Sequence, residues 1–175
     1  EQVHALSARW LEEKRKFDYV IASPLSRTRE TVEILSERLG FSIDEFDSIW
    51  MERHNGKVTG LKHEEGRRLL PQPRFKNPYQ VFAGNGEGDW ELFLRAGHAL
   101  QSLLMRPPGR YLIVSHGAIL NQTMKAIVGV APHANYQGPQ FRFGNTAFAS
   151  LSYAPCSHRW YIEGLNDKNH WRDDD

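Results

Sequence analysis

Two segments of this chain share one design: a short apolar run, then a serine, then a helical pattern. Residues 18–22 lead into Ser23, and residues 111–114 lead into Ser115. Short apolar runs rich in β-forming residues predict buried strands. Because strands alternate with helices along the chain, we predict an α/β fold: a three-layer α/β/α sandwich with a largely parallel central sheet.

Capping signals predict where the second helix begins and ends. Ser23 is a favoured N-cap residue and Pro24 suits the first helical position, so we expect the helix to begin there. Gly40 is placed to end it. Residues 41–49 predict a further strand, and residues 147–153 and 160–165 predict two more.

Helical spacing predicts the buried faces of two other helices. The face of the first helix would comprise Val3, Leu6, Trp10 and Leu11. The face of a helix that opens at Asp89 would comprise Trp90, Phe93, Leu94, Gly97, Leu100 and Leu104. A helix after His116 should run to about Val128 and end at Gly129.

Composition excludes several classes of function. The formal net charge of +1, from 22 basic and 21 acidic residues, leaves no electrostatic footprint for nucleic acid or an anionic membrane. No apolar run approaches the ~20 residues that span a bilayer. Cys156 is the one cysteine, which excludes an internal disulfide and a thiolate metal cluster and favours the cytoplasm. We therefore expect no metal and no cofactor, and homodimer formation stays open.

The two serine-terminated strands also predict a ligand site. Ligands of parallel sheets bind beyond the carboxyl ends of the strands, where helix N-termini suit phosphate. Arg27 in one first turn and His116 at the start of the other could therefore converge on one anion. The alternatives are a solvated helix arginine, a histidine that satisfies a turn, and, for Gly117, a small residue that a tight turn requires.

Three segments in order resemble the histidine phosphatase (phosphoglycerate mutase-like) family. Residues 23–31 (Ser-Pro-Leu-Ser-Arg-Thr-Arg-Glu-Thr) are similar to the family's arginine signature. Residues 51–60 (Met-Glu-Arg-His-Asn-Gly-Lys-Val-Thr-Gly) are similar to its proton-donor segment, and residues 113–117 (Ile-Val-Ser-His-Gly) to the strand of its second histidine. Weaker landmarks at 143–146 and 165–170 extend the resemblance over essentially the whole chain.

The resemblance implies a role for each matched residue. Arg27 would grip the phosphoryl oxygens of a small phosphorylated substrate, with His116 and Gly117 completing the phosphate site. Glu52 would protonate the leaving alkoxide and then deprotonate the attacking water, which requires a carboxyl that keeps its proton near neutral pH. The alternative for Glu52 is an ordinary loop carboxylate.

The family's nucleophile has no counterpart in this sequence. It belongs to an Arg-His-Gly motif on the first strand, whereas the one histidine here that precedes glycine is His116. We therefore interpret residues 1–175 as a single domain that lacks its N-terminal strand. Because ~5 buried side chains contribute ~7–15 kcal/mol, about the stability of a whole domain, we expect this chain alone neither to fold cooperatively nor to hydrolyse phosphate esters.

Three functions follow from the resemblance. Mutases of the family carry a longer insertion between the proton donor and the second histidine, so the compact stretch here favours a phosphomonoester hydrolase that forms a phosphohistidine. The alternatives are a phosphoglycerate mutase and a non-catalytic phosphate-binding module. We place substrate specificity in the loop 56–88, which we expect to hold one short helix. Its basic residues would form a solvated face or attract an anionic substrate: Arg67, Arg68, Arg74 and Lys76.

Overall fold

The computed structural model describes residues 1–70 and 74–171. Contacts within the chain divide it into two compact units. The first comprises Glu1–Met51, Pro107–Gly117 and Arg142–Asp175, and the second comprises Glu52–Arg106 and Ala118–Phe141. The interpretation of the whole chain as one domain stays a prediction.

A three-stranded parallel sheet forms the first unit's centre. Strand β1 (Tyr19–Ala22) lies between β2 (Glu45–Phe46) and β3 (Tyr111–Val114), and both pairings are parallel. The predicted parallel α/β sheet is therefore confirmed. The expectation that β3 is a buried strand is wrong, since all its residues are partly exposed. The sheet order explains this, because β3 is an edge strand.

The other predicted strands take a different form. Strand β4 (Phe148–Ala154) pairs antiparallel with β5 (Arg159–Asp167) in a separate two-stranded sheet. The predicted strand at 41–49 shrinks to β2, because a 3₁₀ turn over Ser48–Trp50 follows at once. The carboxylate of Asp47 accepts the Ile49 N–H at 2.9 Å and caps this turn.

The first unit's core lies between α1 (Gln2–Glu12), α2 (Ser26–Leu39) and aromatic side chains. Leu6 and Trp10 of α1 are buried, as predicted, but Leu11 is 48% exposed. Leu11 follows Trp10 by one position, and a step of one residue turns the side chain about 100° around the helix axis. Helical spacing therefore identified the buried face and included one residue too many.

An ion pair joins α1 to the end of β5. The Arg9 guanidinium donates from Nη1 and Nη2 to the two Asp167 carboxylate oxygens at 2.7 and 2.8 Å. This bidentate contact lowers the pKa of Asp167 to about 2, against the cost of burial. The arrangement ties the antiparallel pair to the helical layer of the first unit.

Helices dominate the second unit: α3 (His63–Leu69), α4 (Asp89–Leu104) and α5 (Gly117–Ile127), whose first residue belongs to the first unit. The short helix expected within 56–88 is confirmed by α3. The predicted face of α4 is wrong. Its buried residues are Leu92, Ala96 and Ala99, whereas Leu94 is 53% exposed. The helix carries apolar residues on more than one side, so their spacing alone did not decide which side would be buried.

Two glycine predictions are confirmed by backbone geometry. Gly40 ends α2 with a left-handed φ of 73°, and Gly129 follows α5 with a φ of 71°. Within residues 1–70 and 74–171, no helix is both long and apolar enough to cross a membrane.

Candidate active site

The carboxyl ends of β1 and β3 bring two predicted site residues together. The two strands are parallel neighbours, and the Ser23 N–H donates to the Val114 carbonyl at 2.9 Å. Beyond the strand ends, Arg27 Nε donates to His116 Nδ1 at 3.0 Å. The predicted meeting of these two side chains is therefore confirmed; we call them the Arg27–His116 pair.

Hydrogen bonds define the state of the His116 ring. His116 is 5% exposed. Because Nδ1 accepts from Arg27, the proton of the neutral imidazole lies on Nε2, which donates to the Ser23 hydroxyl at 2.7 Å. Ser23 itself is fully buried. The ring is therefore held on both sides by protein groups, whereas Arg27 is exposed.

The prediction that Ser23 caps α2 is wrong. The helix begins at Ser26, and Leu25 is its N-cap residue with an extended backbone. The Ser23 hydroxyl contacts His116 at 2.7 Å and also accepts the Leu25 N–H at 3.4 Å, one residue before the helix begins. The Ser23 carbonyl accepts from Thr28 Oγ1 at 3.0 Å. A residue expected to begin a helix thus orients the histidine.

The steric explanation for Gly117 is wrong. A Cβ added at Gly117 would meet no atom within 4 Å, and its φ is not left-handed. Gly117 is the first residue of α5 and is exposed. Its position leaves the helix N-terminus open, where backbone N–H groups lack helical acceptors.

The second strand-end serine supports the segment that leads to Glu52. Ser115 Oγ donates to the Trp50 carbonyl at 2.7 Å, and Trp50 is 2% exposed. This bond holds the 3₁₀ turn that ends one residue before Met51 within the first unit. Glu52 begins the second unit.

Glu52 lines a cavity of about 350 Å³ within the second unit. We call it the Lys125 cavity. Glu52 is partly buried, and its Oε1 accepts the Arg53 backbone N–H at 2.9 Å. The other residues around the cavity are mainly polar: Arg53, Asn55, Asp89, Ala118, Asn121, Gln122, Lys125, Pro132, His133 and Gln140.

The segment that carries Glu52 is fastened to residues 82–88. The His54 carbonyl accepts the Glu87 N–H at 2.8 Å. A Cβ at Gly56 would lie 2.6 Å from the Gly86 nitrogen, and one at Gly86 would lie 2.6 Å from the His54 carbonyl oxygen. Both glycines are therefore required for this close backbone approach.

Arg95 adds a second attachment. Its guanidinium donates to both Glu87 carboxylate oxygens at 2.7 and 2.6 Å, and Nη2 also contacts the Glu52 carbonyl at 3.4 Å. The contacts are partly buried. This end of the 56–88 loop therefore positions the backbone of Glu52.

Sequence reasoning missed the most unusual residues of the cavity. Gln122 is 3% exposed and Lys125 is 5% exposed, and both lie on α5. Burial lowers the pKa of Lys125; the Asp89 carboxylate raises it again and the Arg53 cation lowers it. The available signal was a glutamine and a lysine three positions apart in α5, a spacing that places both on one face of a helix.

The remaining predictions about the site concern basic and metal-binding residues. Arg67, Arg68 and Arg74 are exposed, and no basic residue predicted in the 56–88 loop lines the Lys125 cavity. In the described ranges, no three His, Cys, Asp or Glu side chains are grouped so that they could hold a metal ion.

The fold and the Arg27–His116 pair define an α/β protein with a basic group at the carboxyl ends of parallel strands. Its sequence from residue 1 to residue 168 matches the model of the histidine phosphatase superfamily, branch 1. The chain belongs to this superfamily.

Curated relatives carry the names of both mutases and phosphatases. The chain is 30% identical over 164 residues to a probable phosphoglycerate mutase of Klebsiella pneumoniae, with 87% of this chain and 72% of the relative covered. It is 28% identical over 155 residues to an uncharacterized phosphatase, PhoE, of Bacillus subtilis, with 88% and 72% covered. These names describe the relatives.

A solved structure shows the same fold. The mycobacterial glucosyl-3-phosphoglycerate phosphatase in complex with inorganic phosphate aligns with a TM-score of 0.76 at 22% identity. The alignment covers 98% of this chain and 87% of that one. At this identity the similarity establishes the fold.

Proposed function

We propose that this protein is a phosphomonoester hydrolase that acts on a small phosphorylated metabolite through a phosphohistidine intermediate. The observation that carries the proposal is the contact between Arg27 Nε and His116 Nδ1 at 3.0 Å, beyond the ends of two parallel strands. Two nitrogen-bearing side chains at such an edge suit a phosphoryl group. The lone Cys156 favours the cytoplasm as the place of reaction.

Arg27 would bind and neutralise the phosphoryl oxygens. Its Nε contacts His116, and its terminal amino groups have no protein acceptor among residues 1–70 and 74–171. These amino groups form a planar fork that matches two phosphate oxygens. The exposure of Arg27 leaves the fork accessible to a ligand.

His116 would stabilise the charge that moves during transfer. Ser23 holds Nε2, so Nδ1 is the ring atom that turns to the phosphate when Arg27 moves onto the ligand. A dianion favours a protonated ring, which then donates from Nδ1. The backbone N–H of Gly117 at the start of α5 would be a further donor.

Glu52 would be the general acid and then the general base. A histidine nitrogen attacks phosphorus, the ester P–O bond breaks, and the leaving oxygen takes the Glu52 proton. Glu52 then takes a proton from water, which attacks phosphorus, breaks the P–N bond and releases inorganic phosphate. The polar Lys125 cavity beside Glu52 gives the leaving alcohol a place to bind.

The nucleophile would come from a strand that pairs with β3. No Arg-His-Gly triplet occurs in residues 1–175. Strand β3 is at the edge of its sheet, with Leu112, Ile113 and Val114 partly exposed. An apolar edge strand is a template for another strand, and a parallel neighbour would end beside His116.

A phosphoglycerate mutase is the second candidate. The observation that favours it is the 30% identity to a protein named a probable phosphoglycerate mutase. Hydrolysis remains the proposal because the stretch between Glu52 and His116 is compact.

Product analysis tests the proposal on protein that includes the segment expected to carry the Arg-His-Gly motif. We expect labelled substrate to give inorganic phosphate and an acid-labile, alkali-stable phosphoenzyme. Isomerised phosphoglycerate without net release of phosphate would identify the mutase. Phosphate or vanadate binding without any turnover would identify a non-catalytic module and refute the hydrolase.

A further inference from the structure

Helix α4 has two apolar sides, and the fold buries one of them. Leu92, Ala96 and Ala99 are buried. A second apolar side lies about 130° away around the helix axis, because each residue of an α-helix turns the side chain by about 100°. We call it the Gly97 stripe, and its residues are Trp90, Leu94, Gly97, Leu100 and Leu104. Leu94 and Leu104 are 53% and 42% exposed, so the stripe meets solvent.

Neighbouring apolar side chains of the second unit enlarge this surface. Tyr79 is 73% exposed and stacks on Trp90, with 5.3 Å between ring centroids and an interplanar angle of 17°. Phe93 meets the edge of the Trp90 ring at 5.6 Å. Met105, directly after the helix, is 83% exposed. A continuous exposed apolar surface of this kind is typical of an interaction site.

Gly97 lies at the middle of the stripe, and no described residue requires a glycine there. A Cβ added at Gly97 would meet no atom within 4 Å among the described residues, and its φ is not left-handed. A glycine inside a helix is destabilising relative to alanine. The distance between two packed helices depends on the side chains at their contact, so Gly97 is suited to a close crossing with another helix.

The residues of the stripe are arranged symmetrically about Gly97. Leu94 and Leu100 lie three positions from it on either side. Trp90 and Leu104 lie seven positions from it on either side. In a two-fold contact between antiparallel helices, a residue before the crossing meets the residue at the same distance after it in the other copy. A second copy of α4 would therefore set leucine against leucine and tryptophan against leucine.

The charges at the two ends of α4 favour the antiparallel arrangement. Glu91 is exposed in the first turn, and Arg106 follows the last turn. In an antiparallel pair, the acidic end of one helix lies beside the basic end of the other, and the two helix dipoles oppose each other. A parallel pair would bring like charges together. A second copy of the chain therefore complements the stripe in both shape and charge.

We propose that the protein forms a two-fold symmetric dimer in which α4 of each copy crosses α4 of the other, antiparallel, at Gly97. The 16 residues of α4 span about 24 Å. One such helix pair, with Tyr79 and Met105 beside it, falls at the low end of the ~1,200–2,000 Å² that stable interfaces bury. The dimer therefore forms at micromolar concentrations and dissociates on dilution. This inference does not depend on the proposed function.

Sedimentation velocity tests the dimer on protein that includes the segment expected to carry the Arg-His-Gly motif. We expect monomer to convert to dimer between about 1 and 500 µM. Leu94→Glu should weaken association at least about tenfold, because it buries a charge in an apolar contact. Leu11→Glu is the matched control, since Leu11 of α1 is 48% exposed, and it should dimerise like the wild type. Wild type that stays monomeric throughout, or an equal loss in both variants, would overturn the proposal.

Gly97→Ala separates the interface from a role within the monomer. The chain has room for the added methyl group and alanine favours a helix, so the melting temperature at low concentration should not fall. The same methyl group lies at the crossing of the two helices and should raise the dimer dissociation constant about tenfold. An unchanged dissociation constant would exclude a crossing at Gly97.

Cysteine cross-linking tests the antiparallel register, in protein that carries Cys156→Ser. Leu94→Cys alone should give no cross-linked dimer, because position 94 faces position 100 of the other copy. Leu94→Cys combined with Leu100→Cys should give one under mild oxidation. Six positions along one helix are about 9 Å apart, too far for a disulfide within one copy. A cross-link in the single variant, or none in the double variant, would overturn the antiparallel crossing.

Discussion

The Arg27–His116 pair and the Lys125 cavity differ in whether their buried polar groups have hydrogen-bond partners within the protein. In the pair, both ring nitrogens of His116 have protein partners and the buried Ser23 hydroxyl holds one of them. In the cavity, Arg53 Nε and Gln122 Oε1 have no hydrogen-bond partner, and the 5% exposed Lys125 has no ion-pair partner, among the residues that the structure describes. The first arrangement stabilises the fold, whereas unpartnered buried groups in the second lower the stability of the ligand-free protein.

This difference indicates two kinds of preorganisation. Under the proposed function the phosphoryl group is the same in every substrate, so the His116 ring that meets it can be oriented by a lasting hydrogen bond between Nε2 and the Ser23 hydroxyl. Under the same proposal the leaving alcohol differs between substrates, and two buried polar atoms around the cavity beside Glu52, Arg53 Nε and Gln122 Oε1, have no partner in the described part of the chain. Unsatisfied buried groups are costly, and functional sites are where proteins retain them.

Glu52→Gln should have the largest effect. If Glu52 protonates the leaving oxygen, the substitution should lower kcat by about 10²–10⁴-fold for alkyl phosphates. The loss should be much smaller for p-nitrophenyl phosphate, whose leaving group needs no proton. Steady-state kinetics with both substrates, on protein that includes the segment expected to carry the Arg-His-Gly motif, is the measurement. An equal loss for both substrates would remove Glu52 from the acid role.

Arg27→Met should come next, with kcat/KM lowered by about 10²–10³-fold. Arg27→Lys should recover only part of this, because an ammonium lacks the bidentate fork. Vanadate should raise the melting temperature of the wild type and not of Arg27→Met. Arg29→Met in the same exposed part of α2 is the control; if it lost as much activity, the effect would belong to the helix rather than to Arg27.

Ser23→Ala should destabilise the fold. The substitution leaves the Nε2–H of a buried His116 without its acceptor at 2.7 Å, which costs about 1–3 kcal/mol of unfolding free energy. Urea denaturation of protein that includes the segment expected to carry the Arg-His-Gly motif measures this cost. A change in the unfolding free energy below about 0.5 kcal/mol would show that the hydrogen bond from His116 to Ser23 does not stabilise the fold. The Arg27–His116 pair would then not differ from the Lys125 cavity in this respect.

Gln122→Met should have the opposite sign and the smallest size among these substitutions. It removes a buried oxygen that has no described partner, so we expect a gain of about 1 kcal/mol in the ligand-free protein. The same denaturation experiment decides it. A loss of similar size would mean that Gln122 is satisfied within the protein and that the cavity has no open acceptor.

Lys125→Met should stabilise the protein in a pH-dependent way. Burial lowers the folded-state pKa of Lys125 below its ordinary 10.5, so above the folded pKa the unfolded state binds more protons and wild-type stability rises with pH until 10.5. The advantage of Lys125→Met should therefore be greatest near neutral pH and shrink as pH rises through that range. A pH-independent difference between the two proteins would contradict a buried, unpaired ammonium.

The positions of Arg27 and His116 beyond the ends of two strands could be predicted, because each position depends on a short pattern of neighbouring residues. Apolar runs predict β1 and β3, and parallel strands end at the same sheet edge, so both side chains were expected at that edge. The structure decided that the two strands are neighbours. The predicted cap at Ser23 failed because a hydroxyl can serve a helix or a distant side chain. The position of His116 in the fold decides which of these two hydrogen bonds the Ser23 hydroxyl forms.

The sequence by itself determined the strand and helix types, the end of α2 at Gly40 and the family motifs around Arg27, Glu52 and His116, since these depend on propensity and spacing over a few residues. Tertiary structure alone decided which face of α4 is buried and that Gln122 and Lys125 line a cavity. Burial is a property of what surrounds a side chain, and residues distant in the chain supply those surroundings. A lysine in α5 is written in the sequence in the same way whether its side chain faces water or a buried cavity.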